Sequence, residues 1–180
     1  MIEERILEIT NTIIDDIGYS PYIVDDCITN IISSKACDIL GVKAPLYFEE
    51  LGDKTMGRCS FIDKMCIVQI NECASPSNIA ELYKSDKDSA IFFFNKMCDT
   101  ILHEYRHVYQ VFMDAYDPDE YIKPNKDYEL YHNQKCEIDA REWASETLDK
   151  IGAQLLGAIF NFLKSLLIQE GRKKQWIEMN

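Results

Sequence analysis

Apolar side chains recur at helical intervals near both ends of the chain and switch to a strand-like pattern between them. Ile2, Ile6, Leu7, Ile9, Ile13, Ile14 and Ile17 form a helical stripe that stops at Gly18. Ser20-Pro21 then joins a capping residue to a proline suited to the first helical position, so a second helix is expected to run to Gly41. After Pro45 the period changes. PLYFEEL has the make-up of a short strand, and GRCSFIDKMCIVQIN reads as two strands around a tight turn at Asp63-Lys64. SPSNIAELYKS follows as a loop and short helix. From about Asp88 to Met113 the spacing is helical again, with Ile91, Phe94, Met97, Ile101, Leu102, Tyr105, Val108 and Phe112 on one broad face. DAYDPDEYIKP, rich in aspartate and proline, reads as a connection. Residues 127–149 and 151–170 complete the pattern as two further helices. The expected fold class is α+β, with helices around a small, mostly antiparallel sheet.

A chain of 180 residues is long enough for one well-filled core. No linker or repeat divides it, so residues 1–180 are expected to form a single domain. Within it lie N-terminal helices at 1–41, a core at 45–150, and a C-terminal helix and tail at 151–180. The segment IGAQLLGAIFNFLKSLLIQ is apolar, but Gln154, Asn161, Lys164 and Ser165 interrupt it, and Gly152 and Gly157 lower its helix propensity. A membrane span needs about 20 nearly uninterrupted apolar residues. This segment is therefore expected to dock on the domain, or to meet a second copy or a regulator. The net charge of −12 opposes binding to nucleic acid or to anionic lipid, and GRKKQW is too short a basic run to reverse it. MIEERILEIT lacks the positive-then-apolar layout of an export signal, which favours the cytoplasm. The seven cysteines are odd in number and contain no Cys-x-x-Cys pair. They read as reduced thiols acting as small apolar side chains, not as a cysteine-only zinc site.

One stretch within the long apolar helix carries chemistry of its own. ILHEYRHVYQ carries His103 and His107, two of the three histidines in the chain. Residues four apart on a helix are separated by about 40° around the axis and about 6 Å along it. Both imidazoles therefore project from one face and can share an ion about 2.0–2.1 Å from each nitrogen. Glu104 lies beside that position, poorly placed to ligate but well placed to take a proton from an activated water. A third ligand is needed, and two residues downstream can supply it. Glu137 stands in CEIDAREWA on the next helix, followed by the small Ala140 and Ala144, which would let two helices approach closely. His132 is the remaining histidine, near the start of that helix. The rigid mid-helix position favours Glu137.

HEYRH followed by EIDAREWA resembles the zinc metallopeptidases with a glutamate third ligand, the gluzincins. It is similar to the small cytoplasmic ImmA/IrrE-like group found in bacteria and mobile elements, whose downstream motif has the form E-x-E-A-N-x-F-A. Glu137, Asp139, Ala140, Trp143 and Ala144 occupy the matching positions. The hairpin GRCSFIDKMCIVQIN also resembles the edge-strand segment that precedes the active helix in compact zincins. The similarity covers about residues 45–150. It implies a compact minimal zincin with Zn2+ held by His103, His107 and Glu137, with Glu104 as general base. It also implies an edge strand that receives an extended protein or peptide substrate. Two departures stand out, Arg106 in place of a small residue and Arg141 in place of asparagine, both cations expected near the metal. The SprT-like alternative uses a third histidine and often a cysteine-ligated module for DNA work, which the cysteine spacing and acidity oppose.

Supporting groups are expected around the ligands. Asp139, Asp114 and Asp99 are candidates to accept a hydrogen bond from a ligating imidazole. Tyr128, Tyr131 and His132 are candidates to donate to a developing oxyanion, with His132 the first choice as a second catalytic residue. Tyr105, Tyr109 and Phe112 read as core, and Trp143 as packing on the active helix. A zinc-stabilised binding or regulatory module without hydrolysis is the alternative function.

Overall fold

The computed structural model describes every residue except 53–54, 63–64, 116–120 and 179–180, with side chains described as far as residue 171. The turn expected at Asp63-Lys64 and part of the connection DAYDPDEYIKP lie outside the described residues. The fold is α+β. Helix α1 spans Ile2–Asn11, and a π turn at Thr12–Asp16 carries its stripe onward. Helix α2 spans Pro21–Leu40, with Ser20 extended before its proline. The Ser20 carbonyl, not its hydroxyl, meets the first turn by accepting from the amides of Ile23 and Val24. Gly41 closes the helix at φ 68°, a left-handed conformation that glycine adopts without a Cβ penalty, and its amide donates to the Cys37 carbonyl.

Strands β1 (Leu46–Glu49), β2 (Gly57–Ile62) and β3 (Met65–Asn71) form one sheet in the order β1-β3-β2. The sheet is mixed, where a mostly antiparallel one was expected. β2 and β3 pair as the anticipated hairpin, but β1 runs parallel to β3, aligning Leu46 with Val68 and Phe48 with Ile70. The reason is placement. The chain leaves β1 on one edge, forms β2 on the other, and returns with β3 between them. Val68 and Ile70 face inward into the core. On the outer face the Gln69 side chain gathers Arg58, Ser60 and Glu49.

Helix α3 (Pro76–Tyr83) is capped by Ser75, whose hydroxyl accepts from the Asn78 amide. Helix α4 (Lys87–Phe112) runs through the middle, burying Phe94, Met97, Ile101, Leu102, Tyr105 and Val108. Phe112, read as core, is 60% exposed because α4 outruns the body at its C-terminal end.

The two helices expected at 127–149 and 151–170 are divided differently. A short α5 (Tyr128–His132) is followed by one continuous α6 (Lys135–Glu178). The break falls at Asn133-Gln134, where the Gln134 amide is drawn off to bond both backbone groups of Ile122. Gly152 does not interrupt α6. A mid-helix glycine costs about 1 kcal/mol, which burial of Leu155, Ile159 and Leu163 more than offsets. By length and composition alone, Lys135–Gly171 is apolar enough to cross a membrane. Leu155, Ile159 and Leu163 nonetheless belong to the same core cluster as α1, α2 and α4.

Candidate metal centre

Helix α4 presents His103 and His107 on adjacent turns, and α6 presents Glu137 opposite them. Ala140 and Ala144, one and two turns beyond Glu137, are fully buried and allow α6 to lie close against the bundle. The two Nε2 atoms stand 3.0 Å apart. Glu137 reaches both rings, its Oε2 3.4 Å from His103 Nε2 and its Oε1 3.4 Å from His107 Nε2. Ligand atoms about 2.0–2.1 Å from a tetrahedral ion stand about 3.3–3.4 Å from one another. Glu137 meets each ring with a different oxygen, and one ligand atom from each of the three residues lies within 4.8 Å of the others, close enough for small side-chain shifts to gather them on one ion. Among the described residues, this is the group of histidine, cysteine or acidic side chains that could hold a metal ion. No cysteine takes part, and all seven are free.

The electrostatics follow from burial and pairing. Burial disfavours the charge on Glu137, but hydrogen bonds from His103 and His107 and the charge of His107 outweigh it, so the carboxyl lies far below its usual range. Burial likewise opposes a charged His107. Its bond to Glu137, with the charges of Glu104 and Glu137, pushes it up to about 9. A buried carboxylate that stays ionised and favours a proton on His107 has the negative polarity that attracts a divalent cation.

Glu104 points from the same stretch of α4 and is buried, at 6% exposure. Burial raises its pKa, with Glu137 acting in the same sense and His107, His103 and the Cys59 backbone opposing. Strand β2 passes directly over it. A Cβ built on Gly57 would meet Thr100 Cγ2 at 2.6 Å and Glu104 Cγ at 3.1 Å, so only glycine permits this approach. β2 is therefore the sheet edge that borders Glu104.

The surrounding shell departs from expectation in instructive ways. Asp139 does not meet a ligating ring directly. Gln110 stands between, 2.7 Å from His107 Nδ1 and 2.7 Å from Asp139 Oδ2. Nothing in the apolar pattern marked Gln110, though it lies three residues after His107 and hence on the same side of α4. Asp99 pairs with Lys96 instead, and Asp114 sits past the end of α4 at φ 50°.

The two arginines expected near the metal are both occupied elsewhere. Arg106 makes a two-pronged bond to Asp139 and lies over the rings of Tyr109 and Trp143. Arg141 donates to the His132 carbonyl at the end of α5. His132 is exposed, with its ring 5.9 Å from that of Tyr128, and lies outside the three-residue group. The phenols nearest Glu137 come from Tyr121 and Tyr131. Tyr121 donates to Glu137 Oε1 at 2.8 Å, and burial plus the Glu137 carboxylate hold the Tyr131 phenol well above its usual range. Tyr121 sits in the connection before α5, where tyrosine-rich sequence gave no way to single it out.

No family model matches the chain, and neither a curated protein nor a solved structure does.

Proposed function

We propose that the protein is a zinc-dependent metallopeptidase of the gluzincin type, acting on a protein or peptide substrate in the cytoplasm. The observation that supports this reading is the meeting of a three-ligand face with a buried carboxyl, Glu104, on one stretch of α4. Two imidazoles and one carboxylate are a donor set suited to Zn2+ with a position left for water. When bound, the ion would polarise a peptide carbonyl and lower the pKa of a water. Glu104 accepts a proton from the attacking water and returns it to the departing amine, so the proton count closes. Tyr131, beside Glu137, is the group placed to donate to the oxyanion, in preference to His132. The outer edge of β2, paired on its inner side only with β3 among the described residues, offers backbone groups to an extended peptide.

The Glu104→Gln variant tests the mechanism. It is expected to keep its zinc and lose about 10²–10⁴-fold in peptide hydrolysis. Undiminished turnover would remove Glu104 from its assigned role. The rival reading, a metal-stabilised module without hydrolysis, draws on Tyr121, whose hydroxyl already engages Glu137. Chelator-sensitive cleavage of a peptide library supports the peptidase, and stoichiometric zinc without cleavage supports the module. The buried stripe of α6 supports a helix docked on the domain over one inserted in a bilayer.

A further inference from the structure

Gln110 is buried at 3% exposure, and every polar atom of its side chain is committed. Its Nε2 donates to the Cys136 carbonyl at 2.9 Å and to Asp139 Oδ2 at 2.7 Å. Both partners can only accept, which fixes the orientation of the amide. Oε1 is therefore the atom 2.7 Å from His107 Nδ1, and an amide oxygen can only accept. It follows that Nδ1 carries the proton and that Nε2 is the nitrogen turned to Glu137 and His103.

Asp139 is held in turn by Arg106, Nε at 2.8 Å and Nη2 at 2.9 Å, in the two-pronged geometry peculiar to arginine. A polar chain thus runs from Arg106 through Asp139 and Gln110 to His107. It crosses from α4 to α6 and back.

We infer that Gln110 is a positioning residue, which locks the ring orientation and tautomer of His107 for a divalent cation and ties that lock to the α4–α6 contact. The inference rests on the metal-binding reading of His103, His107 and Glu137, but not on peptidase activity. It also gives Arg106 a place, as the anchor of the chain.

Zinc affinity, measured by competition with a chromophoric chelator, provides the test, together with the imidazole N–H resonances of the zinc-loaded protein. Gln110→Met keeps the bulk and removes the acceptor. It is expected to bind zinc about 10–100-fold more weakly. A slowly exchanging Nδ1 proton of His107 is the expected signature of the wild type, and in Gln110→Met it is expected to broaden away. Should Gln110→Met fail to fold, Gln110→Asn, too short to reach the ring, takes its place with the same expected loss. Wild-type affinity in these variants, or an Nδ1 resonance that survives in them, overturns the role of Gln110. A wild-type protein that binds no zinc overturns the metal site itself, so the two failures are distinguishable.

Discussion

His107 and Glu137 each lose by burial and gain more from one another, and that balance has a direct consequence for stability. His107 is raised from 6.5 to about 9, so its contribution to the metal-free fold is complete below about 6.5 and fades as pH rises through about 9. Glu104, raised by burial, adds a slope of the same sign that begins above 4.5. Glu137 acts oppositely. Its contribution is present above 4.5 and lost only as acid brings it down to its lowered range. Urea denaturation of the metal-free protein is thus expected to show stability declining from pH 6.5 to 9, and His107→Gln is expected to flatten that decline. An unchanged slope in His107→Gln would mean that the imidazole carries no extra proton in the folded state. At the same scale, His132→Ala should leave metal content untouched while Glu137→Ala abolishes it, as judged by elemental analysis. The histidine pair was legible because four-residue spacing on an amphipathic helix fixes direction. Gln110 was not, because a buried amide acquires meaning only from what α6 places against it.

Strand β2 owes its position to a missing side chain. Thr100 and Glu104 approach Gly57 so closely that a methyl group must displace either the strand or the helix. Gly57→Ala is expected to cost about 1–3 kcal/mol of stability. It should also lower the proposed hydrolysis beyond what the stability loss explains, because Glu104, with Thr100 and Ile70, is one of three side chains that must yield. Normal turnover by a Gly57→Ala protein that melts early would separate β2 from the chemistry. Elements with punctuation of their own were legible. Pro21 and Gly41 bracket α2, Ser75-Pro76 opens α3, and the stripe from Phe94 to Val108 marks α4. The parallel pairing of β1 was not, since strand order depends on which edge the chain returns to and leaves no mark in a four-residue strand.

Over the whole molecule, α6 is the member that unites the site with the fold. Its N-terminal end carries Glu137, and its middle buries Leu155, Ile159 and Leu163 in the cluster shared with α1 and α2. Its continuity was hidden by Gly152, a local cost that tertiary burial overrides. Ile159→Ala is expected to destabilise the protein by about 2–5 kcal/mol in denaturant titrations, with zinc stoichiometry unchanged. A negligible effect would show that this half of α6 does not pack on the body. The proposed chemistry depends above all on the convergence of three side chains from two helices on one ion. Zinc-edge X-ray absorption of the purified protein tests it most directly. One ion per chain is expected, with two imidazole nitrogens and a carboxylate oxygen at about 2.0–2.1 Å. A spectrum dominated by sulfur scattering, or protein that takes up no stoichiometric metal, would contradict it.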